Sequence, residues 1–221
     1  MNLTRISVLL GAVAMLTATG ADAQDRMQGS GIRVQKSEFD VSTTPSTTTT
    51  VEVEAGEVSL TTPFDITAYA NMNEKNITAH MAAGDSLEIQ FAELALSKAT
   101  NQQVRNFANT LLNDHRAHLA KTHEIITDED VGAEPLAFDP EGMRMRQMLN
   151  NLRTMAAGTN WDAAFLRFQA QHHQNEIDLL SANIKQAHDD DLEDHIEESI
   201  TSLSKHRDTA RSIATTLGYQ L

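Results

Sequence analysis

The chain has 221 residues and carries 17 Lys and Arg against 31 Asp and Glu, a formal charge of −14. So acidic a surface repels phosphate backbones and anionic lipid, which argues against nucleic acid as a partner. There is no Cys, which excludes disulfides, iron–sulfur clusters, thiol catalysis and covalent c-type haem.

Met1 to Arg5 is a short basic start, Ile6 to Leu16 is an apolar run, and Ala21-Asp22-Ala23 supplies the small residues of a signal-peptidase site. Cleavage is expected after Ala23, with export to the periplasm. No later stretch approaches the roughly 20 apolar residues of a membrane-spanning helix, so the mature chain has no expected transmembrane segment. Residues 24–72 include the tract STTPSTTTT at Ser42 to Thr50. Such a segment buries too little apolar surface to offset ordering entropy, and a disordered Thr-rich tether is expected. All nine His residues lie beyond Thr50, from His80 onward.

From Asn73 the period becomes helical, and residues 73–221 read as one domain. Pro is absent from 64 to 134 and from 141 to 221, as continuous helices require. The first helix is expected from Asn73 to about Thr100, with Gly84 breaking or kinking it and Asp85 or Ser86 capping a second segment. The second runs from about Asn101 to Ile126, with Val104, Ala108, Leu111, His115, His118, Thr122 and Ile125 on one stripe. A loop over 127–141 leads to a short helix, Gly142 to Ala157, with Gly158 as its C-cap. The third long helix is expected from Asn160 to His188. The fourth starts at Asp189-Asp190-Asp191, where acidic residues favour a helix N-terminus. Its stripe is Leu192, Ile196, Ser199, Leu203, His206, Ala210, Ile213 and Leu217. The fold class is all-α: an antiparallel four-helix bundle with an extra short helix in the connection between its hairpins.

The unusual residues are the polar ones on apolar stripes. Glu88 lies 13 residues before the first turn at Asn101, and His115 lies 14 after it. His173 lies 16 before the second turn at Asp189, and His206 lies 17 after it. One residue is about 1.5 Å of rise, so each pair sits level within its hairpin. Inward groups at one height of a bundle can converge on a metal ion. His118 is one turn from His115 and joins the candidate set. His172 and Glu176 are candidates for a supporting or alternative role. Nitrogen-rich ligation with one carboxylate suits Fe, Zn, Cu or Ni better than Ca or Mg. Without metal, the same residues would form buried pairs, with Glu88–His115 and Glu176–His206 as expected partners. The Met residues of the connecting helix (Met143, Met145, Met148, Met155) read as core filler.

Four stretches carry a family resemblance. They are Gly84-Asp-Ser-Leu-Glu-Ile, Phe107 to His115 (FANTLLNDH), Trp161-Asp-Ala-Ala-Phe through to His173, and Leu203-Ser-Lys-His206. Residues 73–218 resemble the ferritin-like family called domain of unknown function 4142, whose members are exported bacterial proteins. The resemblance implies a ferritin-like bundle and puts Glu88, His115, His173 and His206 on the family's recurring polar positions. The family usually has an acidic residue directly before the histidine of the third long helix, where this chain has His172. No Glu-x-x-His pair falls on the stripes, which leaves too few carboxylates for a standard ferroxidase centre.

The sequence offers no phosphate-binding Gly-rich loop and no Gly-x-Ser-x-Gly. Catalytic residues are therefore not assigned, and any enzymatic activity would be metal-dependent redox chemistry. The competing reading is a metal-free envelope interaction or stress-related structural module, its acidic bundle facing an envelope protein partner.

Overall fold

The computed structural model describes residues 64–128 and 131–221, with the side chain of residue 128 left aside. The signal segment and the tether up to residue 63 lie outside the described residues. Within the described residues five α-helices follow in order: α1 (Glu74–Lys98), α2 (Gln102–Asp128), α3 (Pro140–Thr154), α4 (Thr159–Asn183) and α5 (Asp190–Leu217). Among the described residues there is no β-strand. None of their helices is long and apolar enough to cross a membrane.

The fold is two helical hairpins, α1–α2 and α4–α5, joined where α2 packs on α5. The short α3 leans on α1 and α4, covering the side of the bundle where those two meet least. Two apolar clusters fill the interior. One gathers Phe91, Leu111, Met148, Leu152, Trp161, Phe165 and Ala210 near the α1–α2 turn. The other gathers Tyr69, Ile77, Ile125, Leu179, Leu192 and Ile196 at the opposite end. Most of the buried polar residues lie between them.

Capping fixes the helix ends. Asn73 and Asn76 form a reciprocal box at the start of α1, which satisfies two backbone donors that have no partner inside the helix. Asp189 accepts from the Leu192 amide, and Asp190, Asp191 and Glu193 follow in the first turn of α5. Gly218, at φ 72°, takes the left-handed conformation that ends the helix.

Several boundaries differ from the sequence reading. Residues 64–72, assigned above to the tether, join the bundle through a 3-10 turn at Ile66–Tyr69. Tyr69 is fully buried; its hydroxyl donates to Asp139 Oδ1 at 2.9 Å and accepts from the Glu141 amide at 2.7 Å. One aromatic thus ties that turn to the start of α3. Gly84 does not break α1, which is continuous through it, because the packing of its neighbours outweighs a cost of about 1 kcal/mol for one glycine. Gly158 is the N-cap of α4, not the C-cap of α3. In its place the Lys98 ammonium donates to the carbonyls of Leu152, Arg153 and Met155 at the end of α3, where a cation is favoured. The third long helix ends at Asn183, before His188, and passes through a 3-10 turn at Ile184–Gln186. The methionines do not converge: Met145 and Met148 are core residues, whereas Met143 is exposed.

Asp162 holds the two hairpins in register. Its fully buried carboxylate accepts from the Thr100 amide at 3.0 Å, the Thr100 hydroxyl at 2.7 Å and the Asn101 amide at 2.9 Å. It therefore pins the α1–α2 turn from another helix, while Asn101 caps α2 by accepting from the Gln103 amide at 2.8 Å. We expect Asp162→Ala to leave these donors unsatisfied and to cost about 2–3 kcal/mol, read as a lower urea midpoint with native helical content. A loss below about 0.5 kcal/mol would contradict this role.

Candidate metal centre

α2, α4 and α5 bring His115, His173 and His206 together in the polar layer. Their ring centroids lie 5.7 Å (His115–His173), 5.3 Å (His115–His206) and 5.1 Å (His173–His206) apart. All three are at least 98% buried. One nitrogen from each ring lies within 4.8 Å of the other two. A tetrahedral ion with bonds of about 2.1 Å holds its nitrogens roughly 3.4 Å apart, so small ring rotations close the set.

Each ring is oriented by its other nitrogen. His173 Nδ1–H donates to the Gln169 carbonyl at 2.7 Å; a carbonyl only accepts, so the proton is on Nδ1 and Nε2 carries the lone pair. His115 Nδ1 bonds Asp85 Oδ1 at 2.8 Å, and His206 Nε2 bonds Asp114 Oδ2 at 2.8 Å. The remaining nitrogens, His115 Nε2, His173 Nε2 and His206 Nδ1, are buried and have no hydrogen-bond partner. Buried polar atoms are rarely left without a partner. Three in one cluster, each with its ring fixed by a carboxylate or carbonyl, have the arrangement of metal-ligating imidazoles.

Glu88, 1% exposed, stands beside them. Its Oε2 lies 3.9 Å from His115 Nε2 and accepts from Gln169 Nε2 at 2.9 Å; its Oε1 has no hydrogen bond and lies 3.4 Å from His172 Nε2. A cavity of about 30 Å³ adjoins, lined by Asp85, Glu88, His115, His118, His172, Glu176 and Ser199 among others. That is room for one or two waters or an ion, and too little for an organic substrate.

The other predicted residues take different places. His118 is half-buried on the cavity wall, its ring 5.8 Å from His115 and 6.0 Å from His195. His172 donates from Nδ1 to Glu141 at 2.8 Å, and Glu141 is also held bidentately by Arg144. Glu176 pairs with His80, at 3.0 and 3.2 Å, so the expected Glu176–His206 pair does not form. His206 pairs instead with Asp114, across the α2–α5 contact.

The buried histidines fall into two electrostatic classes. Burial pushes His115 down, His173 well down and His206 down to about 4, and neighbouring imidazoles add to the effect. These rings are neutral and offer lone pairs. Burial opposes charge at His80 too, but Glu176, Asp139 and Glu141 outweigh it and hold His80 at about 9. Burial is likewise overcome at His172, raised by Glu141 and Glu88. Glu141 is held at about 2, with His172 and Arg144 overriding its burial. His80 and His172 are therefore held by carboxylates, in a network where Glu141, His172 and Glu176 also offer ligand atoms within 4.8 Å of one another.

A family model described as a domain of unknown function (DUF4142) matches residues 59–213. The chain belongs to that family. No curated protein matches the sequence. Among solved structures, this DUF4142 chain is similar to CopM in its Ag-bound form, with TM-score 0.53, 18% identity, and coverage of 66% of this chain and 98% of that one. CopM in its Cu(I)-bound form gives TM-score 0.52 at 20% identity over 66% and 99% of the two chains. A DUF305 fragment from Deinococcus radiodurans gives 0.54 at 16% over 70% and 97%. These likenesses support the helical-bundle fold of the DUF4142 chain.

The two histidine classes give opposite pH dependences. His206 and His195, both held at about 4, bind protons in the unfolded chain near pH 6.5 but not in the folded one. Stability therefore falls as pH drops from about 6.5 toward 4. His80 keeps its proton up to about 9 when folded, so its contribution is full below about 6.5 and is lost as pH rises to 9. Urea midpoints of the metal-free chain should peak near pH 6.5, and His80→Gln should flatten the alkaline fall. A midpoint rising steadily from pH 5 to 9 would contradict the assignment.

Proposed function

We propose that this chain is an exported, periplasmic bundle that binds one transition-metal ion through His115, His173 and His206, with Glu88 as fourth ligand. The observation that carries the reading is the trio of buried, unpartnered nitrogens, His115 Nε2, His173 Nε2 and His206 Nδ1. A neutral imidazole with its second nitrogen tied to a carboxylate or carbonyl is a common metal ligand. The depressed proton affinity of these rings supports it further, since protons compete poorly with a metal there.

Three imidazoles and one carboxylate favour Zn, Cu, Ni or Fe over Ca or Mg. The fold likeness to proteins solved with Cu(I) and Ag bound is an argument by analogy for trying copper first. Binding or storage fits the small cavity; redox catalysis would need the bound metal to cycle. A metal-free envelope module is the second reading, favoured by the His80–Glu176 and His172–Glu141–Arg144 contacts, which pair most of these buried groups with protein partners.

Metal content by mass spectrometry on untagged full-length protein separates the two. We expect about one ion per chain after equilibration with Cu or Zn. His115→Ala/His206→Ala should lose at least 90% of it while keeping native helical content. No uptake of Cu, Zn, Ni or Fe by the native protein would overturn the metal reading and leave the envelope module.

A further inference from the structure

The trio is deeply buried, and an ion must reach it. His173 and His206 do not line the cavity, whereas His115 does, together with Asp85 and His118. Of the four proposed ligands, His115 and Glu88 face the cavity and His173 and His206 do not, so an ion in the cavity meets His115 before the other two imidazoles. It also belongs to a second triad: Asp85, His115 and His118 offer ligand atoms that all lie within 4.8 Å of one another. Two potential ligand sets thus share one ring.

His118 differs from the trio in ways that suit an outer position. It is half-buried where they are buried. It lies one helical turn from His115 on the same face of α2, and their rings meet edge-on at 5.8 Å. Behind it, His195 is occupied: its Nε2–H donates to Thr122 Oγ1 at 3.0 Å, and the Thr122 hydroxyl donates to the His118 carbonyl at 3.0 Å. That chain of contacts leans on the His118 backbone and leaves its imidazole free to face the cavity.

We propose that Asp85 and His118 form an outer cation position through which a metal ion is loaded, passing by way of the shared His115 to the inner trio. The physical reason is desolvation. Moving a naked cation across a buried layer is costly unless each lost water is replaced by a protein ligand. A shared ring lets the exchange proceed one ligand at a time. This inference rests on the metal reading above.

The position lies on the path and is not part of the final site, so removing it slows loading and release equally and leaves affinity unchanged. The test is stopped-flow loading of metal-free full-length protein with Co(II), followed by its visible absorption, and release into excess chelator. His118→Ala and His118→Gln, each confirmed folded by circular dichroism, should reach the native stoichiometry and final spectrum. Both rates should fall at least tenfold, with the dissociation constant within about twofold of native. Unchanged rates would overturn the proposal, because the ion would then reach the trio another way. Faster release with weakened affinity would also overturn it, making His118 a ligand of the final site. Failure of the native protein to take up Co(II), Cu or Zn at all would remove the inner site and the loading position together, an outcome distinct from either.

Discussion

A four-helix bundle with buried histidines across its middle must satisfy every ring nitrogen or give the unsatisfied ones a purpose. That constraint organises this molecule. The two apolar clusters supply the cohesion, and between them α1, α2, α4 and α5 all contribute buried polar groups, among them Glu88, His115, His173 and His206. Such a layer is expensive unless its hydrogen bonds are complete. On the side toward α3 they are nearly so, through Arg144, Glu141, His172, Glu176 and His80. On the side toward α5 three nitrogens remain open, each ring already fixed by its other atom. The contrast within one layer is between rings held by neighbouring carboxylates and rings that keep an open nitrogen.

The same carboxylate chemistry serves both halves with opposite results. Glu176 and Glu141 stand directly on His80 and His172 and raise their proton affinity, to about 9 at His80, which sets protons against a metal there. Asp85 and Asp114 also hydrogen-bond imidazoles, but there burial and the crowding of three rings keep His115 and His206 neutral. The motif residues around the histidines gain physical roles from this. Asp85 and Asp114 orient rings, Asp162 pins the α1–α2 turn, and Glu88 lies between the neutral trio and the carboxylate-held His172.

Much of this was legible in the sequence because helix rise is regular. Counting residues from the turns brings Glu88 level with His115, and His173 level with His206. In the structure Glu88 Oε2 and His115 Nε2 are 3.9 Å apart, and the rings of His173 and His206 are 5.1 Å apart. What escaped depended on contacts that counting does not reach. Asp85 reads as a cap beside an apparent glycine break, and only a continuous α1 turns it toward His115. Asp114 looks like a surface residue until α5 brings His206 to it. Glu141 and Arg144 sit on α3, whose placement against α1 and α4 has no signal in its own periodicity. His80 lies next to Met81, which fills the apolar stripe, and its pairing with Glu176 spans 96 residues. The 3-10 turn at Ile66–Tyr69 was hidden by the polar composition before it, although Tyr69 anchors it.

The central claim is that the open nitrogens of His115, His173 and His206 hold a metal. The most direct measurement is an anomalous-difference crystal structure of the full-length protein grown with Cu or Zn, collected on both sides of the metal's absorption edge. The account predicts one dominant peak about 2.0–2.1 Å from His115 Nε2, His173 Nε2 and His206 Nδ1, with the Asp85, Gln169 and Asp114 hydrogen bonds retained. A dominant peak at Glu141, His172 and Glu176 instead, or an empty trio beside metal scattered over surface carboxylates, would contradict it.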